Sequence, residues 1–293
     1  MDRYLRSIPG APFILAVAVG LALLLILRAL WWADWLYSGR PLFALGTFVL
    51  LAELAALGGM LLVRRCVPLA TLEAHREAAG YVYSTLGAAY AVLRSFLVVI
   101  SWNRFDADQR TIRQEAQAAA TLFHLADGLG AATRQEVQQT LLAYTQVVLD
   151  DEWAAMTHGA ESEQAWHLSD QLWDLYMHAP REDQTRPAYQ QSLSQIHEFY
   201  TLRGQRLVES RSILPSAIWV VLTMGAIITV GFTYLFGVRS PVAQGVMTVA
   251  LTAIIAGSLY LIVDLDTPYH GPLEVRPTPY QTTRAFFTAR LPQ

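Results

Sequence analysis

The stretch YVYSTLGAAYAVLRSFLVVISW, Tyr81 to Trp102, decides how this chain is read. It carries one charge, Arg94, along a length that matches the roughly 20 apolar residues a helix needs to cross a bilayer core. A helix apolar on all sides has no face to offer water, so lipid is the solvent that this stretch predicts. The same reading applies on either side of it. Pro41 to Val63 forms a span closed by Arg64 and Arg65, and Ile213 to Phe236 and Pro241 to Val263 form two more. The linker Gly237-Val238-Arg239-Ser240 between the last two is too short for anything but an antiparallel hairpin. At the N-terminal end Ala11 to Leu27 runs on past Arg28 to Trp31, Trp32, Trp35 and Tyr37. That run is too long for a signal peptide and lacks a small-x-small cleavage site, so it reads as a retained helix with an aromatic interface and a snorkelling arginine.

The expected fold is therefore an all-α integral membrane protein with about five transmembrane helices and a soluble four-helix bundle between the third and fourth. The expected segments are an additional N-terminal helix with its aromatic interface over 1–40, a transmembrane hairpin over 41–102 and the bundle over 103–212. A second hairpin over 213–266 and a C-terminal tail over 267–293 complete the chain. Composition agrees, at 54% hydrophobic and only 15% charged residues. The net charge of -3 offers no basic surface for nucleic acid. Every basic residue is Arg and none is Lys, a bias expected of a GC-rich bacterial genome, and the single Cys66 excludes an internal disulfide.

Within 103–212 the apolar spacing is helical. Phe105, Ile112, Ala116, Ala119 and Phe123 share a face that Gly128 and Gly130 end, and Thr133 with Glu136 forms a capping box for the next helix. Val137, Leu141, Tyr144 and Val148 form its stripe. Ala165, Leu168, Leu172 and Trp173 mark a third helix, and Leu193, Ile196, Tyr200 and Leu207 a fourth. Small pairs at Ala16/Gly20 and Ala253/Gly257 suggest close helix approach in lipid.

Signatures of catalysis are missing: no phosphate loop, dinucleotide glycine pattern, nucleophile elbow or paired-histidine zinc helix. The 7 histidines have no ligand spacing, so no metal, cofactor or enzymatic role is expected. Charges within spans carry more information, because each costs several kcal/mol unless paired or hydrated. If the second and third spans form a hairpin, Glu53 and Arg94 lie about one turn apart in depth. They then read either as a buried pair fixing helix rotation or as charged groups on a permeation path. Ala89, Leu93, Phe96 and Ile100 form an apolar stripe on the third span, readable as helix or lipid contact or as a constriction that gates by dewetting. Asp150, Asp151 and Glu152 read as a solvated helix face, and Asp264 and Asp266 as part of a membrane-exit turn that Pro268 and Gly271 stop.

Several of these residues, taken in order, carry a resemblance. The run His75-Arg76-Glu77-Ala78-Ala79-Gly80 precedes a span containing Tyr90-Ala91-Val92-Leu93 and Phe96. Glu115-Ala116, Tyr144, Val148, Glu152-Trp153 and Met156 follow, and the exit reads Asp264-Leu265-Asp266-x-Pro268-Tyr269-x-Gly271. The set resembles the bacterial bestrophin-like domain family over about residues 41 to 275. That family usually has four spans, so the helix at 11–32 is an addition, and an apolar residue usually stands where Arg94 is. The resemblance implies a homo-oligomeric anion channel in the bacterial inner membrane with a hydrophobic neck, for which Leu93, Phe96 and Ile100 are the candidates. It further implies a cytoplasmic bundle, and lipid and small inorganic anions as partners. The acidic calcium clasp of animal bestrophins has no full counterpart. The competing expectation is a non-conducting membrane scaffold or sensor whose soluble bundle recruits a partner.

Overall fold

The computed structural model describes residues 41–74, 76–210, 214–269, 271 and 273–291. The helix expected over 11–32, its aromatic cluster, Arg28 and the Ala16/Gly20 pair lie outside them, as do His75 and His270. Helices account for nearly all regular structure, and the described residues contain no strand. Among the described residues, four helices are long and apolar enough to cross a membrane.

Two compact units divide the chain. The first holds α1 (Pro41–Cys66), the short α2 (Leu69–Ala74), the first part of α3 (Arg76–Leu125), α9 (Ser216–Thr233) and α10 (Pro241–Asp266). α1 lies chiefly along α10, with α9 beside both. Their shared core is Ala56, Met60 and Val63 of α1, Leu222, Ala226 and Val230 of α9, and Ile255, Leu259 and Ile262 of α10. α3 joins through Tyr90, whose hydroxyl donates to the Leu222 carbonyl at 3.0 Å, and through Leu97. At Gly225 α9 comes so close that a Cβ would stand 2.4 Å from the Tyr90 ring. The turn after α9 needs Gly237, which has φ 56° and lies against the backbone of Leu72 and Glu73. Arg64 anchors this turn by donating to the Val238 carbonyl at 2.8 Å and to the Gln244 side chain.

The second unit begins at Asn103, where α3 continues without a break into polar sequence. It adds α4 (Ala131–Val147), a π-helical turn over Val148–Glu152, α5 (Trp153–Thr157), α6 (Glu163–Met177), α7 (Arg181–Gln184), α8 (Pro187–Glu209) and α11 (Thr278–Thr288). Helix α11 falls in the segment read above as a tail. Its buried Tyr280, Thr283 and Phe287 recur at helical spacing, and Phe287 stacks on Phe123 with centroids 4.4 Å apart. Thr133 does not cap α4: Gly130 is the N-cap, and the Thr133 hydroxyl donates at 2.6 Å to Asp183. Asp183 also accepts the Gly130 N–H at 2.6 Å, so a buried carboxylate from a distant helix satisfies the N-cap's orphan donor.

Candidate functional site

Two places hold the residues singled out by the sequence. On α3 the apolar face stands open, with Leu93 39%, Phe96 65% and Ile100 54% exposed. The buried side of the same helix carries Tyr90 and Leu97. Between these faces lies Arg94. Its guanidinium is 5.7 Å from the centroid of the Tyr90 ring and makes one long hydrogen bond, 3.5 Å, to the Ile254 carbonyl of α10. The expected Glu53–Arg94 pair is not formed within the chain. The reason is topological: α1 packs chiefly along α10, so the hairpin of α1 with α3 that would have brought the two charges together is not the main contact of either helix. Glu53 is half-buried and has no hydrogen bond or ion pair among the described residues. Gly257 likewise does not mark a close helix approach, since a Cβ there meets nothing within 4 Å; Gly225 does.

The second place is a buried charge cluster in the second unit. Spacing brings its members inward: on α8, Ile196, Phe199, Arg203 and Arg206 recur on the covered face, and on the helix through Tyr144 and Val148 the next inward position is Glu152. Glu152 therefore leaves the solvated face expected of it, being 0% exposed, while Asp150 and Asp151 remain exposed. Arg203 grips Glu152 with Nη2 at 2.8 Å and Nη1 at 3.0 Å from Oε1. Arg206 bridges two carboxylates, with Nε at 2.5 Å from Glu115 Oε2 and Nη2 at 2.7 Å from Glu152 Oε2. The Tyr144 hydroxyl donates to Glu115 Oε1 at 2.8 Å. Arg203 also lies over the Trp166 ring at 4.6 Å and Arg206 over Tyr280 at 5.8 Å.

The electrostatics follow from this closure. Burial works against the charge on Arg206, but Glu115 and Glu152 outweigh it and raise the guanidinium well above its ordinary pKa. Burial and then the Glu115 charge push the Tyr144 and Tyr280 hydroxyls well up, so both stay neutral. Two carboxylates against two guanidiniums leave no net charge. Both carboxylates are held by arginines, and the cluster ties α3, α8 and the π-helical turn together.

Of the family-motif positions, Glu115, Tyr144 and Glu152 thus meet in one network, and Trp153 stands edge-on to Tyr269 of the exit segment at 5.3 Å. Asp266 accepts the Leu214 N–H at 3.1 Å, and Pro268 accepts the Val275 N–H at 2.7 Å, while Gly271 takes φ 115°. Glu77 and Gly80, in the first turns of α3, take no part in the network, and Glu77 is exposed. Arg203 and Arg206 were not singled out as site residues by the sequence. No group of three or more histidine, cysteine or acidic residues among the described residues could hold a metal ion. Separately, α3 and α11 border a groove of about 650 Å³ lined by Ile112, Arg113, Glu274, Arg276 and Thr282.

Known structures share this fold. A membrane protein solved as a point variant superimposes with a TM-score of 0.62 at 13% identity, covering 84% of this chain and 97% of that one. A bacterial bestrophin homologue from Klebsiella pneumoniae, solved as two point variants, gives TM-scores of 0.61 and 0.58 at 14% identity. The two alignments cover 86% and 85% of this chain and 98% and 100% of the homologue. No curated protein matches the chain. At such identity the structural likeness establishes fold, and with four spanning helices it makes this a multi-pass membrane protein. The Bestrophin-like domain profile matches residues 50–280, most of the sequence, and the chain belongs to that family.

Proposed function

We propose that copies of this chain assemble into a channel for small inorganic anions in the bacterial inner membrane, with Leu93, Phe96 and Ile100 forming its apolar constriction and the second unit in the cytoplasm. The observation that carries this is the open face of α3: an apolar stripe at membrane depth that no other described part of the chain covers. Around a common axis such stripes would form a ring that holds water poorly and passes ions only when widened. The fold shared with the Klebsiella pneumoniae bestrophin homologue supports this choice over plain lipid contact, since bestrophins are homo-oligomeric anion channels. The locked carboxylates of the second unit favour a channel over an enzyme.

Purified protein in liposomes, read by halide flux, tests this. Flux is expected from the wild type and increased flux from Leu93→Ala and Phe96→Ala. Silence of all three under every voltage and calcium condition overturns the reading. A reporter fused at Gln293 tests sidedness, with external activity reversing the assignment. The second reading, a scaffold that recruits a partner, draws on the groove between α3 and α11 with Arg113, Arg276 and Glu274 at its edges. A monomer or dimer without an axial path would favour it.

A further inference from the structure

In hydrocarbon an unpaired side-chain charge is among the most costly features a helix can carry, and Glu53 and Arg94 stand as two such charges among the described residues. Glu53 is half-buried near the middle of α1 with neither hydrogen bond nor ion pair. Arg94, in the middle of the apolar part of α3, has only the Tyr90 ring and one long bond to a carbonyl. Neither contact neutralises it. Each stands at the edge of an open apolar surface: Leu50 and Leu54 beside Glu53 are 53% and 57% exposed, and Ala91 and Ser95 beside Arg94 are exposed as well. Their depths also agree. Glu53 is 10 residues before Val63 and Arg94 is 13 residues after Tyr81, a difference of 3 residues. At about 1.5 Å per residue that is about 4.5 Å, within the span of an arginine side chain.

We propose that Glu53 of one copy pairs with Arg94 of a neighbouring copy, so that each protomer supplies the counter-charge the other lacks. The proposal rests on the homo-oligomeric reading above and specifies its interface. The surface around Glu53 on α1 meets the surface around Arg94 on α3 of the next protomer, and repetition of this unlike contact generates a closed ring. A second copy is the occupant that fits, because it brings the opposite charge at matching depth, whereas lipid tails bring none. Pairing also gives Arg94 a structural task beside the constriction: it holds α3 in rotation so that Leu93, Phe96 and Ile100 face the axis.

The test has two parts, each on the full chain in a Cys66→Ser background. First, chains carrying only Glu53→Cys and chains carrying only Arg94→Cys, with different affinity tags, are co-assembled and treated with a bis-methanethiosulfonate linker of about 10 Å. A covalent dimer bearing both tags is expected. Second, native mass spectrometry follows assembly of Glu53→Arg, Arg94→Glu and the double exchange. Each single reversal is expected to weaken assembly by about tenfold or more, and the double exchange to recover most of that loss. An intact wild-type oligomer with no mixed-tag product, or a double exchange no better than the worse single, overturns the pairing and leaves the homo-oligomeric reading standing. A monomeric wild type overturns both. The cysteine variants introduce no like-charge clash, so the first part decides even where a reversal prevents folding.

Discussion

Around Tyr144, two carboxylates and two guanidiniums are shut away from solvent and pair with one another within a single chain, whereas in the membrane unit Glu53 and Arg94 are left without ionic partners among the described residues. The two regions use the same residue types, glutamate and arginine. They differ in what surrounds them. The cluster is enclosed by α3, α4, α6, α8 and α11, so its cost of desolvation is offset by five short charge-assisted hydrogen bonds or their equivalents in ring contacts. In the membrane unit the helices show open faces instead, and only 17% of the apolar window on α3 is buried. One region pairs its charges within the chain, and the other leaves Glu53 and Arg94 without an ionic partner among the described residues.

The hardest blow to that contrast is Arg206→Met. It leaves Glu115 with the Tyr144 hydroxyl but no ionic partner and Glu152 with Arg203 alone, and removing one partner from a buried pair costs about 3–5 kcal/mol. Chemical denaturation of the full chain in detergent, followed by tryptophan fluorescence, should show the loss. Replacing Arg206 and Glu115 together by apolar residues should cost less than Arg206→Met, because no charge is then left unpaired. If the double change costs the full sum of the singles, the cluster is not a coupled unit.

A smaller imperfection in the second unit sharpens the comparison. Asp108 is 1% exposed and neither of its oxygens has a hydrogen-bond donor in the chain, while Glu209, Arg104 and the buried Tyr269 are the groups acting on it or feeling its charge. Burial, and then the Glu209 carboxylate, push its pKa up to about 7 against the opposing pull of Arg104. A carboxyl whose folded pKa lies above its unfolded value favours folding fully below the unfolded value and loses that contribution as pH rises through about 7. Wild-type stability should therefore fall between about pH 5 and pH 8, by on the order of 3 kcal/mol from this group. Asp108→Asn keeps the neutral shape and should flatten that part of the profile, read from denaturation midpoints at both ends of the range. An unchanged slope in the variant would remove Asp108 from the account.

Next in size is Gly225→Ala in the membrane unit. The added methyl would lie 2.4 Å from the Tyr90 ring, so the ring must move and its hydroxyl bond to Leu222 is strained or lost. Overpacking of this kind costs about 1–3 kcal/mol. Unfolding in detergent without such a loss would show that α3 is free to shift away from α9.

Much of this was legible in the sequence, and the failures have physical causes. Three spans follow from apolar runs, and α1, α9 and α10 end within a few residues of the expected limits. Hydropathy ends the third span at Trp102, yet α3 continues to Leu125 because nothing between Gly87 and Leu125 breaks a helix: there is neither Pro nor Gly. Glu115, Tyr144 and Glu152 entered through a resemblance, but their common fate was available from spacing, since Glu152 is four residues beyond Val148 on the same stripe. Its acidic neighbours Asp150 and Asp151 disguised it. Arg203 and Arg206 stood on the face of Ile196 and Phe199, where periodicity points inward and residue type suggests outward. The Glu53–Arg94 pair failed for another reason: sequence adjacency of two spans says little about which helices pack, and α10, far along the chain, is the chief neighbour of α1.

The finest distinction lies inside the membrane unit, at Gly257. This glycine is in the middle of α10, half-buried, and a Cβ placed on it meets nothing within 4 Å. Alanine in a helix interior loses less backbone freedom on folding than glycine, a gain of roughly 0.5–1 kcal/mol where there is room for the methyl. Gly257→Ala should thus leave stability unchanged or raise it slightly in the same detergent unfolding that registers a loss for Gly225→Ala. The two substitutions add the same methyl to neighbouring helices of one unit, so helix propensity cancels between them and contact remains. A loss at Gly257 would mean that its open side is occupied in the assembled protein, and α10 would then join α1 and α3 among the surfaces that a second copy covers.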